Sequence, residues 1–100
     1  MNLDDLPPAE FGFPGPLRVR LVAAILSGAK TSTSSLLLGY ERGNEPLPAA
    51  GQLSAVVDSE NRRVAAIEVT GVRVVDSFTV NDDTLVVAER FRLVHATDVF

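Results

Sequence analysis

Cysteine and tryptophan are absent from this 100-residue chain, and histidine, methionine and tyrosine each occur once. Without cysteine there is no disulfide and no thiolate metal site. A single imidazole, His95, leaves no partner for a zinc site, so no metal and no cofactor is expected. No apolar run approaches the roughly 20 residues that cross a bilayer, so no membrane span is expected. The opening "MNLDDLPPAEF" lacks the basic start and apolar middle of a secretion signal. Together these absences lead us to expect a cytoplasmic protein. A net basic charge is also missing. The formal charge of −4 argues against coating a long duplex, which takes a broad cationic face. No Ser-His-Asp set, glycine-rich phosphate loop or paired-carboxylate pattern is visible.

The composition that remains, 46% hydrophobic and 22% charged, is that of a folded globular protein. Its length fits one domain spanning residues 1–100. Residues 1–16 carry Pro7, Pro8, Pro14 and Pro16 and read as an irregular N-terminal arm, anchored to the core by Phe11 and Phe13. Pro16 suits the first turn of a helix. Leu17, Leu21 and Ile25, flanked by Val22 and Leu26, then form one apolar helical face, and Gly28 stands where a left-handed cap would end it.

Beyond the helix, "SLLLGY", "QLSAVVDS", "RVAAIEVTGVRVV" and "TLVVAERFRLVHATDVF" read as strands, with Gly71 as a bulge or bend. "ERGNEPLPAAG" reads as a loop, "ENR" as a turn and "DSFTVNDD" as a connector. The expected fold is α+β: a small β-barrel or curled mixed sheet of about five strands with one main N-terminal helix. Long bent strands in so short a chain favour curling, which removes exposed edges.

The stretch "SGAKTSTSSLL" sets Lys30 beside five consecutive hydroxyl residues, Thr31 to Ser35. In an extended chain Thr31, Thr33 and Ser35 share one face, and Lys30, Ser32 and Ser34 the other. An ammonium among hydroxyls can hold a phosphate or the polar edge of a base, or activate a threonine nucleophile. The same hydroxyls also suit a plainer task, satisfying backbone groups between a helix end and a strand start, in which case the chain is a structural or protein-interaction domain.

Glu68 interrupts an apolar run. It is either a ligand-binding or acid–base group with a burial-raised pKa, or the partner of an arginine on a neighbouring strand. Glu89 poses the same question, on a strand face with Leu85, Val87, Phe91 and Leu93. Arg90 and Arg92 share the opposite face, as a basic stripe or a solvated strip. Tyr40, Phe11 and Phe13 could stack on a base, although core packing suits the phenylalanines better.

Several segments, in order, resemble the ASCH family, small β-barrel proteins related to PUA domains. "FGFPGPLRVRLVAAILSGAKTSTSSLL" looks like its entry arm, helix and G-x-K-x-x-T motif, here Gly28, Lys30 and Thr33. "GNEPLPAAGQLSAVVDSENRRVAAIEVTGVRVV" is similar to its central strands and "DDTLVVAERFRLV" to its closing strand. The resemblance implies a PUA-like fold and a cleft beside the motif that binds a nucleotide or short RNA. Gly28, Lys30, Thr31, Thr33, Ser35, Glu68 and Arg90 are the expected ligand-binding residues.

Some members are described as ribonucleases, or as amide hydrolases acting on acylated cytidine. In the hydrolases the motif lysine and threonine are catalytic, which carries over to Lys30 and Thr33. They work with an acid in a connecting segment after the central strands. This chain departs from the pattern twice. Ser35 stands where an arginine is usual, and Val80 runs straight into Asn81 where relatives carry a few tens of further residues, including that acid. A shortened connector would leave a strand edge open, so a monomer or weak homodimer is expected.

Overall fold

A computed structural model describes residues 2–76 and 85–97. The helix begins and ends where its punctuation puts it. Helix α1 spans Pro16–Ser27 with proline in its first turn, and Gly28 closes it at φ 84°, a left-handed conformation that costs glycine nothing. Its buried stripe differs from the expected one. Arg18, Val22 and Ile25 face inward, whereas Leu17 is 56% exposed. Leu17 lies instead against Gly12 of the arm.

The arm is more ordered than its prolines suggested. A single 3-10 turn, Leu3–Asp5, is capped by the Asn2 side chain, which accepts from the Asp4 N–H at 3.0 Å. A two-residue strand, β1 (Pro8–Ala9), follows. Proline donates nothing to a ladder, yet an edge strand can still accept, and the Ala55 N–H donates to the Pro7 carbonyl at 2.8 Å. Only one of the two expected anchors is used. Phe11 is buried and stacks tilted on Phe91, with ring centroids 5.8 Å apart, but Phe13 is 88% exposed.

The remaining elements are β2 (Ser32–Leu36), α2 (Leu37–Arg42), β3 (Leu53–Val57), β4 (Arg63–Asp76) and β5 (Leu85–Ala96). Expectation and structure part at β2. The hydroxyl run itself is the strand, and the leucines after it start a short helix, not a strand. The Leu-rich run is too short to show a period, and residues up to Arg42 join the helix where a loop was expected. The expected turn at residues 60–62 is present: Asn61 is left-handed, and its N–H donates to the Asp58 carbonyl at 3.0 Å.

The strands form one mixed sheet in the order β1-β3-β4-β5-β2, parallel at β1–β3 and antiparallel elsewhere. Its end strands β1 and β2 do not pair, so among the described residues the curled sheet, not a closed barrel, is what forms. Gly71 sits at an irregularity as expected. Val69 pairs with Phe91 and Gly71 with Arg90, leaving Thr70 as the extra residue of a bulge. The connector at Val80–Asn81 lies outside the described residues.

The core gathers Phe11, Val22, Ile25, Val56, Val64, Ile67 and Phe91, where α1 covers the central strands. Burying each large side chain contributes about 1.5–3 kcal/mol.

Candidate ligand-binding site

Two local features position Lys30. The left-handed Gly28 reverses the chain, and the Lys30 N–H then donates to the Ala24 carbonyl at 3.0 Å, satisfying one of the orphan acceptors at the end of α1. Glycine and lysine of the motif are thus spaced by helix-end geometry. From there the chain extends into β2, whose backbone is tied to β5; the Phe91 N–H donates to the Thr31 carbonyl at 2.9 Å.

The register of β2 on β5 sets Thr33 directly opposite Glu89, and Glu89 opposite Val72 of β4. Side chains so paired share one face of the sheet. Lys30, Thr33 and Glu89 line a cavity of about 430 Å³, to which Phe11 and Gly12 of the arm, Leu21 of α1, Tyr40 of α2, Ser54 of β3 and Ile67 of β4 also contribute. Lys30, Thr33 and Glu89 are each half-buried. The Lys30 ammonium donates to the Ser32 carbonyl at 2.6 Å. The Ser35 hydroxyl donates to the Tyr40 hydroxyl at 3.1 Å. Burial alone pushes the Glu89 carboxyl above its ordinary value.

Even-numbered positions of β2 and β5, with Gly71 and Arg73 of β4, build most of a second hollow, of about 730 Å³. Ser32, Arg90 and Gly71 lie in one cross-strand row, and Ser34, Ala88 and Arg73 in another. Lys30, Thr33, Ser34 and Glu89 line both hollows.

Of the sequence-derived site residues, Lys30, Thr33 and Ser35 come together at the inner cavity and Arg90 lies at the outer hollow. Gly28 acts through its backbone, and Thr31 is exposed. Glu68 lines neither hollow. Arg92, directly across from it on β5, donates to its carboxylate at 2.7 Å, which is the ion pair weighed against a ligand role. Glu89, inward-facing by strand parity, was legible as a question; its position opposite Thr33 was not. Arg73 gave no signal in the sequence. His95 is exposed, and no cluster that could hold a metal ion occurs among the described residues. No described helix is long and apolar enough to cross a membrane.

A curled mixed sheet with one covering helix, and a cleft beside the helix end, define a PUA-like domain. The family model for the ASCH domain matches residues 10–83, and the chain belongs to that family. Its fold is similar to those of solved structures, among them these two. The ASCH domain from Lactobacillus crispatus JV V101 is 20% identical with a TM-score of 0.70, over 89% of this chain and 80% of that one. Protein EF3133 from Enterococcus faecalis V583 is 24% identical with a TM-score of 0.69, over 77% of this chain and 68% of that one. No curated protein matches the sequence.

Proposed function

We propose that this ASCH domain binds a nucleotide or a short single-stranded RNA, with one base entering the inner cavity. The observation that carries the reading is the shared lining of Lys30, Thr33 and Glu89 against the apolar wall of Phe11, Leu21 and Ile67. A base presents two apolar faces and an edge of mixed donors and acceptors. The wall suits the faces. Lys30 donates to a ring carbonyl, Glu89 accepts from an exocyclic amine or ring N–H, and Thr33 does either. The cavity volume suits one nucleoside, and the charge of −4 suits few phosphate contacts. Titration of the protein with nucleosides and short RNA at low salt tests the reading. Saturable binding that weakens about tenfold or more in Lys30→Ala is expected, from loss of a charged hydrogen bond. No binding at low salt refutes it.

The position of Glu89 favours one second reading, an amide hydrolase for acylated cytidine. Thr33 Oγ attacks the acyl carbon, Lys30 Nζ takes the hydroxyl proton, and the exocyclic amine leaves with a proton from the Glu89 carboxyl. Water then cleaves the threonyl ester to free acid and hydroxyl, and the proton taken up by Lys30 passes back to Glu89, which restores both groups. In this reading Glu89 takes the role of the acid that the family resemblance puts in the connector, and the burial-raised pKa keeps a larger share of it protonated. Deacetylation of N4-acetylcytidine is the assay. Full activity in Thr33→Ala refutes the mechanism.

A further inference from the structure

Arg73 and Arg90 face the same way on adjacent strands. Arg90 pairs with Gly71, so Arg73, two residues further along β4, is its diagonal neighbour. Diagonal positions lie roughly 7–8 Å apart, within reach of a common guest for two arginines. Among the described residues that line the outer hollow, Glu89 is the single carboxylate; it lies at the rim shared with the inner cavity, where Lys30 also stands, and strand alternation directs it away from the two arginines. Neither arginine has an ion-pair partner among the described residues, whereas Arg18, Arg62 and Arg92 each do. Two like charges so placed repel each other unless an anion joins them.

The rest of the hollow completes a set of donors. Ser32 lies opposite Arg90, and Ser34 opposite Ala88, whose other neighbour is Arg73. Both hydroxyls are exposed. The floor between the arginines is Gly71. A Cβ built there meets nothing within 4 Å, so the glycine at the β4 bulge leaves open space in the hollow.

We propose that the outer hollow is a phosphate site, adjoining the inner cavity along a shared rim, in which Arg73 and Arg90 clamp a phosphate group and Ser32 and Ser34 add neutral donors. Paired guanidinium forks fit the tetrahedral oxygens better than any single cation on this face. The site takes either the terminal phosphate of a mononucleotide or an internal phosphodiester of a strand.

The test uses the whole chain. Inorganic phosphate is titrated while backbone amide shifts are followed by NMR, and saturable shifts centred on Ser32, Gly71 and Ala88 are expected. They are expected to persist in Arg20→Ala, which removes an exposed arginine of α1 outside both hollows, and to weaken at least tenfold in the double variant Arg73→Ala/Arg90→Ala. Gly71→Leu fills the hollow while keeping both charges, and the same loss is expected from it. Uridine 5′-monophosphate and the uridine dinucleotide with an internal diester distinguish the two sources by which binds tighter. Unsaturable shifts scattered over the surface, or saturable binding unchanged in both the double variant and Gly71→Leu, overturn the proposal.

Discussion

Arg18 grips the carbonyl of Gly12: its Nε donates at 3.1 Å and its Nη2 at 2.7 Å. A third bond runs to the Asp58 carbonyl at 3.3 Å, and Glu10 lies 3.5 Å away. Only 3% exposed, Arg18 is the one buried charged side chain among the described residues. It ties the arm and the β3–β4 turn to α1. Ser59 reinforces the tie by accepting from the Gly15 N–H and donating to the Gly15 carbonyl. Because Phe11 and Gly12 wall the inner cavity, this guanidinium holds that wall in place.

Arg18→Ala is expected to destabilise the fold by about 2–3 kcal/mol, since it removes a buried guanidinium and leaves two partly buried carbonyls without a charged donor. Denaturant unfolding measures the loss. Base binding should weaken as well, although residue 18 does not line the cavity. A loss below about 1 kcal/mol shows that the arm stays closed without the latch.

Gly28 and Gly39 form a matched pair for the motif's backbone requirement. A Cβ at either meets nothing within 4 Å, but only Gly28 has a positive φ. Gly28→Ala is expected to cost about 1–2 kcal/mol from left-handed strain alone. Gly39→Ala, inside α2, is expected to gain about 0.5–1 kcal/mol. Thermal melts of both variants check the signs. Gly28→Ala should also weaken ligand binding, because the same reversal aims Lys30. Equal shifts in the two variants would mean that helix-end geometry is not what the motif glycine supplies.

What could be read from the chain and what could not divides along sequence distance. Helix α1 was legible because Pro16 and Gly28 punctuate it locally, and the β4 bulge because Gly71 marks it. Lys30 and Thr33 were legible as a pair because three residues separate them. Glu89 against Thr33 was not, since that contact is set by the β2–β5 register across more than fifty residues. Strand β1 escaped notice because two residues carry no period. Helix α2 escaped because three leucines suit a strand and a helix alike. Phe13 misled because a hydrophobic residue in a proline-rich arm can point either way, and the latch at Arg18 turns Phe11 inward instead.

Asp58 contributes to the acid limb of stability. Burial raises its pKa, but hydrogen bonds from the Arg62 backbone and side chain and the Glu60 N–H, together with the Arg62 charge, outweigh it and leave the group below its ordinary value. A depressed folded pKa means that its contribution is present above the unfolded value of 3.8 and disappears as pH falls through the folded value. Asp58→Asn is therefore expected to be less stable than the parent at pH 7, with the gap closing toward pH 3. Melting curves across that range suffice. A gap that does not narrow on acidification shows that the turn needs the side-chain shape and not its charge.

Glu89 has the opposite sign. Its folded pKa is raised by burial, so in the window between the unfolded value of 4.5 and the higher folded value the native state holds more protons than the unfolded one. Stability then falls as pH rises through that window, and the deficit persists at neutral pH. Glu89→Gln keeps the shape and removes the buried charge. It is expected to melt higher than the parent at pH 7 and to match it near pH 4. A base that donates an N–H to the carboxylate should favour its charged form, so ligand should lower the Glu89 pKa and bind more tightly as pH rises. Carbon-detected NMR of the side-chain carboxyl, with and without nucleoside, reads that shift directly. A carboxyl whose titration ligand leaves unchanged does not meet the base, and the polar edge is then read by Lys30 and Thr33 alone.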